Sequence, residues 1–275
     1  MTLRNRVLTA AVLVPLVVAA VLLLPSWALA LLFGLVALLG ATELARLAGV
    51  AGSVQVWGYA VLVGAVGLAA YWWLDSVYLP WLVAAAGAWW LANALILLLG
   101  QPDVAPRDGL QPGLLIGGGL LLLACWASLV SLHHGGAAGP ARVLFLLVLI
   151  WVADSAAYFT GRQWGRAKLA PAISPGKTRA GLYGALAGSV LCGLALYTLG
   201  LVPAVGALPL VLLCLLTTAI SVAGDLHESL LKRRRGVKDS GALLPGHGGV
   251  LDRIDSLIAA APVFTLGVAL LEGLT

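Results

Sequence analysis

The chain has 275 residues, of which 61% are hydrophobic and only 10% charged, with a net charge of +5. Soluble domains carry about 25% charged residues, so this composition and a mean hydropathy of +1.04 exclude an ordinary soluble fold. The excess cations sit beside helix ends with few aromatics among them, which excludes nucleic acid as the natural partner and favours the anionic headgroups of a lipid bilayer.

Apolar runs of spanning length predict an all-α integral membrane protein, a polytopic bundle of about nine transmembrane helices. The runs are 7–24, 27–40, 54–74, 80–99, 113–132, 143–159, 181–199, 204–223 and 250–271. The first follows Arg4 and Arg6 and precedes "ALA" at 28–30, a pattern shared with secretory signals. It is longer than a usual signal core, and a retained span is expected. The second is short unless it continues to Leu47, which would bury Glu43 and Arg46 near a helix end where long side chains can snorkel. Cys125, Cys192 and Cys214 lie inside apolar runs at spacings that fit neither a disulfide framework nor a metal site.

Cation bias sets the orientation. With the N-terminus cytoplasmic, Arg46, Arg107, the cations of 161–180 and those from Lys232 to Lys238 all fall on the cytoplasmic side. Arg142 falls on the far side, and the C-terminus lies outside.

Four polar stretches interrupt the apolar runs. In "VAGDLHESLLKRRRG", Asp225, Glu228 and Ser229 share a helical face. The cation run after them is an ordinary interfacial helix end, but an acid at the depth of Asp225 is costly unless paired or bound to a cation. In "LLPGHGGVLDRIDS", Gly246, Gly248 and Gly249 flank His247 just before a helix begins, where free N–H groups attract phosphate. Asp252, Asp255 and Ser256 follow at helical spacing. The helix dipole accounts for one acid there but not two, and His247 is expected to stabilise the turn rather than carry a proton.

The third stretch, "KLAPAISPGKTRAG", puts Ser174, Lys177 and Thr178 in a Pro/Gly turn. It echoes a Walker loop, but Ala172 replaces the upstream glycine and no strand is expected before it. What remains is a basic, hydroxyl-bearing loop suited to phosphate. The fourth holds Asp154, an intramembrane acid that is equally a functional group or the partner of an arginine on another helix. His133 and His134 are assigned to a solvated outer turn. Carboxylates on two neighbouring helices, beside a glycine turn and cations, fit Mg²⁺-dependent phosphoryl or nucleotidyl transfer.

The stretch "SLLKRRRGVKDSGALLPGHGGVLDRID" resembles the signature of the phosphatidate cytidylyltransferase, or CDP-diacylglycerol synthase, family, and "ADSAAYFTGRQWGRAKLAPAISPGKT" and "GDLHES" are similar to further family segments. The resemblance runs from Asp154 to near the C-terminus. It implies one membrane-embedded domain, 1–275, with generic helices in 1–142 and catalytic helices and cytoplasmic loops in 143–275. The implied reaction is CTP plus phosphatidic acid giving CDP-diacylglycerol and pyrophosphate, with Mg²⁺ as cofactor, at the cytoplasmic face of a bacterial inner membrane; a homodimer is left open.

By the same resemblance Asp225, Asp252, Asp255 and Lys238 serve catalysis, and Asp225, Asp252, Asp255 and Glu228 hold metal. Substrate binding is implied for Asp154, Ser174, Lys177, Thr178, Ser229, Lys232, Arg233, Asp239, Gly246, His247, Gly248, Gly249 and Arg253. One departure is that Arg179 and Ala180 precede Gly181, where the family usually carries an aromatic and then Glu or Gln. A CTP-dependent polyprenol kinase, sharing the metal and basic groups, is the nearest alternative enzyme. An ion-coupled transporter would explain the intramembrane acids but not "GHGG" beside a cation cluster.

Overall fold

The computed structural model describes residues 3–73, 78–100, 102–243 and 248–274. Among them are nine helices: α1 Leu3–Leu23, α2 Ser26–Leu47, α3 Ser53–Trp73, α4 Tyr78–Leu99, α5 Pro112–His134, α6 Gly139–Trp164, α7 Arg179–Thr198, α8 Ala207–Arg235 and α9 Leu251–Gly273. Eight of them, α2 to α9, are long and apolar enough to cross a membrane, while the apolar stretch of α1 is Ala11–Leu23. The protein is a multi-pass membrane protein. Helices are what such a composition permits, since a helix satisfies its backbone donors and acceptors without water.

Small residues set how closely these helices approach. On α7, Gly184 faces Thr160 of α6, Gly188 faces Val152 of α6, and a Cβ at Gly193 would lie 2.5 Å from the Cα of Val211 on α8. Backbone cannot yield there as a side chain can. Gly193→Ala is therefore expected to pry α7 from α8 and cost about 1–3 kcal/mol, read as a lower melting temperature in detergent. Gly58→Ala, with nothing within 4 Å of the added methyl, should leave it unchanged.

Helices α8 and α9 pack along each other at the centre, with α7 and α6 on one side and α4, α5 and α2 on the other. Where α8 and α9 come closest, a Cβ on Gly224 would lie 2.7 Å from the Asp255 carbonyl and from Ala259 Cβ. This contact puts the acid-bearing faces of the two helices side by side.

Several boundaries differ from the sequence expectation. Helix α2 does continue to Leu47 and Glu43 is buried, at 6% exposure, but its carboxylate is held by backbone N–H groups of Val250 and Leu251 rather than snorkelling to the interface. Helix α8 runs through the cations to Arg235, so Asp225 stands within it rather than at its end. It stops at Gly236, where φ is +70°, the Gly236 N–H bonds Arg233 O and the Val237 N–H bonds Lys232 O, a glycine-terminated helix end. "SPGKT" is a strand, not a turn: β1 (Lys168–Ala170) and β2 (Ser174–Thr178) form an antiparallel hairpin between α6 and α7. His133 is not solvated either; it is buried, with Nδ1 2.9 Å from Ser26 Oγ and Nε2 3.0 Å from Val21 O.

The cation run is also less free than its composition suggests. Arg233 Nε donates to Ile173 O (3.2 Å), Arg234 Nε to Asp103 O (2.9 Å), and Arg235 to the carbonyls of Leu47, Arg107 and Gly109 at 3.0–3.1 Å. These guanidiniums tie the hairpin, the 102–111 connection and the end of α2 to one helix terminus.

Candidate active site

On α8 the polar residues Asp225, Glu228, Ser229 and Lys232 recur at intervals of three and four, so they form one stripe. The stripe faces Asp252, Asp255 and Ser256 in the first turns of α9. Lys232 joins the two helices: its Nζ lies 2.5 Å from Glu228 Oε2 and 2.5 Å from Asp252 Oδ1. The second Asp252 oxygen accepts N–H bonds from Ser240 (2.9 Å) and Gly249 (2.8 Å) and faces the Ser240 hydroxyl at 3.0 Å. Asp225 receives Lys177 Nζ from β2 at 2.7 Å and the Ser229 hydroxyl at 3.3 Å.

Three cavities meet around these groups. A basic one of about 520 Å³ lies over the hairpin, with Arg162, Lys168 and Lys177 in its wall. An acidic one of about 340 Å³ is lined by Asp154, Asp225, Asp239, Asp252 and Asp255, with Lys232 and Arg253 as its cations. The third, about 700 Å³, is walled by Trp89, Trp90, His227, Arg107 and Arg234 among apolar side chains of α5. Asp154 and Asp225 line both the basic and acidic spaces, and Asp255 lines both the acidic space and the third. The cavities therefore form a row from basic through acidic to mainly apolar.

Most residues singled out from the sequence gather here, in altered roles. Asp154 faces the junction of two cavities, and among the described residues no arginine comes within ion-pair distance of it. Glu228 belongs to Lys232 and the third cavity rather than to the acidic one. Thr178 lines the basic cavity, but its hydroxyl caps α7 by accepting Gly181 N–H at 3.1 Å. Ser174 opens β2 opposite Ala170. Arg233 is engaged with the hairpin carbonyl and Lys238 is exposed on the 236–250 segment; neither lines any of the three cavities.

Within the glycine turn, one of the expected donors is taken up inside the protein. The Gly249 N–H points at Asp252, and Gly248 at φ +80° would put a Cβ 2.6 Å from the same carboxylate. Gly246 and His247 lie outside the described residues. Two residues were missed. His227, edge-on to Trp89 and Trp90 at 5.2 and 5.6 Å, is visible in sequence only as the histidine of "GDLHES". Glu43 gave no signal beyond being an acid in an apolar run.

The donor set suits a hard cation, since the acidic cavity carries five carboxylates against two cations. Among the described residues no three His, Cys, Asp or Glu side chains are grouped closely enough to cage a metal. Mg²⁺ does not need such a cage, because it is commonly held by one or two carboxylates with water and substrate phosphate completing its shell.

Comparison with known sequences gives this arrangement its context. The Cytidylyltransferase family matches residues 4–271. The chain belongs to the cytidylyltransferase family. Among its relatives, a phosphatidate cytidylyltransferase of Pseudomonas aeruginosa is 43% identical over 266 residues, covering 95% of this chain and 95% of that protein. One from Haemophilus influenzae is 37% identical over 284 residues, covering 96% and 97%, and one from Thermotoga maritima is 44% identical over 140 residues, covering 49% and 52%. The family match includes the N-terminal helices, so the resemblance is wider than the segment from Asp154 onward.

Proposed function

We propose that the protein is a nucleotidyltransferase that moves the cytidylyl group of CTP onto phosphatidic acid, giving CDP-diacylglycerol and pyrophosphate. The observation that carries this reading is the row of three cavities, in which each space suits one participant. The basic cavity suits the triphosphate, the acidic one the reacting phosphates with a divalent cation, and the apolar one the lipid. The names of the relatives support the same assignment.

In this reaction a phosphatidate oxygen forms a bond to the α-phosphorus of CTP while the bond from that phosphorus to the β-bridging oxygen breaks. Pyrophosphate leaves with the electron pair. No protein nucleophile is required, so the chain contributes alignment and charge stabilisation. Asp225, Asp252 and Asp255 line the acidic cavity, and one or two of them, with water and substrate phosphate completing the shell, would hold Mg²⁺, which when bound neutralises phosphate charge. Lys177 links the basic cavity to Asp225, and Lys232 keeps Asp252 facing the acidic cavity. Arg253 supplies a further cation at its rim.

Release of pyrophosphate by the purified protein in detergent tests the reading. It should require CTP, phosphatidate and Mg²⁺ together; release from CTP alone, or none with all three present, would refute it.

Lys177→Ala should raise the KM for CTP about tenfold or more while lowering kcat less, since the residue binds phosphate and only leans on Asp225. A collapse of kcat at unchanged KM would contradict that division.

The active face is proposed to be cytoplasmic, at the inner membrane of a bacterium, in keeping with the cation bias. Val237, 38% exposed just beyond α8, reports on it. Val237→Cys should react with an impermeant maleimide in opened membranes and not in intact spheroplasts; labelling of intact spheroplasts would reverse the topology.

A further inference from the structure

Glu43 lies on α2, far in sequence from the polar signature, yet its carboxylate is enclosed by it. Oε1 accepts the Val250 N–H at 2.9 Å, and Oε2 accepts the Leu251 N–H at 2.7 Å and the Ser240 hydroxyl at 2.9 Å. These backbone groups open α9, whose own N-cap residue, Val250, provides no side-chain cap. The first N–H groups of a helix need acceptors and favour negative charge, and here a different helix supplies both.

The glycines of the signature fit around this carboxylate. A Cβ on Gly241 would lie 2.3 Å from Glu43 Oε1, and one on Gly249 would lie 2.3 Å from Oε2 and 2.3 Å from Ser240 Oγ. Two signature glycines therefore make room for Glu43. Ser240 carries the connection onward, because its hydroxyl lies between Glu43 Oε2 and Asp252 Oδ2 while its N–H donates to Asp252.

We propose that Glu43 is a positioning residue for the reaction: it fixes the start of α9 and, through Ser240 and Gly249, the carboxylate of Asp252. This rests on the function proposed above.

The test combines amide exchange with kinetics on the full-length protein in detergent. Glu43→Gln keeps the volume but turns an amide donor toward backbone donors. It should speed exchange in peptides covering 248–252 by about tenfold or more while the middle of α8 stays protected. It should also lower kcat about 10–100-fold, as loss of a supporting partner of a reacting group does, and raise the Mg²⁺ concentration for half-maximal rate, with KM for CTP little changed.

Ser240→Ala removes the hydroxyl bridge between Glu43 and Asp252 but leaves the cap on α9 and the Ser240 N–H bond to Asp252, so it carries the test if Glu43→Gln does not fold. It should lower kcat with normal exchange at 250–251, and the double variant should be no worse than Glu43→Gln alone. A purely structural Glu43 would lower the melting temperature and leave the kcat and Mg²⁺ requirement of the folded fraction unchanged; that result, or unaltered exchange at 248–252, overturns the proposal. Exchange does not depend on turnover, so a wild-type protein without product counts against the reaction and not against the hold of Glu43 on α9.

Discussion

Asp225→Asn and Asp252→Asn should each lower turnover by roughly two orders of magnitude or more, the scale expected when a preorganised charged group is removed from a reacting centre. Asn preserves size and one acceptor oxygen. At position 252 that oxygen can still take the Gly249 and Ser240 N–H bonds, so the helix start survives, but Lys232 loses one of its two anionic partners and the cavity loses a hard ligand. At position 225 the lost partner is Lys177, in a pair whose side chains are 23% and 33% exposed, which costs less to break than the more enclosed Lys232 cluster. The Asp225 variant should therefore melt close to the wild type and the Asp252 variant below it but still folded, because Glu228 remains to neutralise Lys232, and Mn²⁺ should restore part of the activity in at least one of them. Near-normal turnover in both, or loss accompanied by unfolding, would make these structural acids.

Lys232→Met should have the largest effect on folding. Lys232 is mostly buried and neutralises two carboxylates, Glu228 and Asp252, whose side chains are each 6% exposed. Removing one member of a buried ion cluster leaves uncompensated charge and costs about 3–5 kcal/mol. Turnover should also vanish, because Asp252 is no longer held toward the acidic cavity. Adding Glu228→Gln removes one of the stranded charges, so the double variant should recover much of the lost melting temperature and none of the activity. Recovery of turnover as well would reduce Lys232 to a structural counter-ion.

The acid faces were legible in sequence because they depend only on helical spacing. Asp225, Glu228, Ser229 and Lys232 share a stripe wherever α8 goes, and Asp252 with Asp255 opens α9 for the same reason. Hydropathy placed the spans but not their ends, which explains why α8 was cut at Ala223 while the helix runs on to the glycine stop at 236. The hairpin of "SPGKT" was missed because strands of three and five residues carry too little alternation to stand out.

Glu43 could not be found from spacing at all. Its partners are about two hundred positions away, and a single acid in an apolar helix looks the same whether it reaches the interface or is enclosed. The glycines of "GHGG" allowed two readings, donors for phosphate or room for close packing. At Gly249 the packing against Glu43 and the bond to Asp252 take both. The arginines after Lys232 likewise could not be divided in advance into those serving phosphate and those closing carbonyls of neighbouring loops.

The central claim is that substitution occurs at the α-phosphorus of CTP with phosphatidate as acceptor. The most direct measurement incubates the purified protein, Mg²⁺ and phosphatidate with CTP labelled with ³²P in either the α or the γ position, then separates lipid from water-soluble products. Label from the α position should enter the lipid, and label from the γ position should appear only in pyrophosphate. Transfer of γ label to the lipid would contradict the account and make the protein a CTP-dependent lipid kinase.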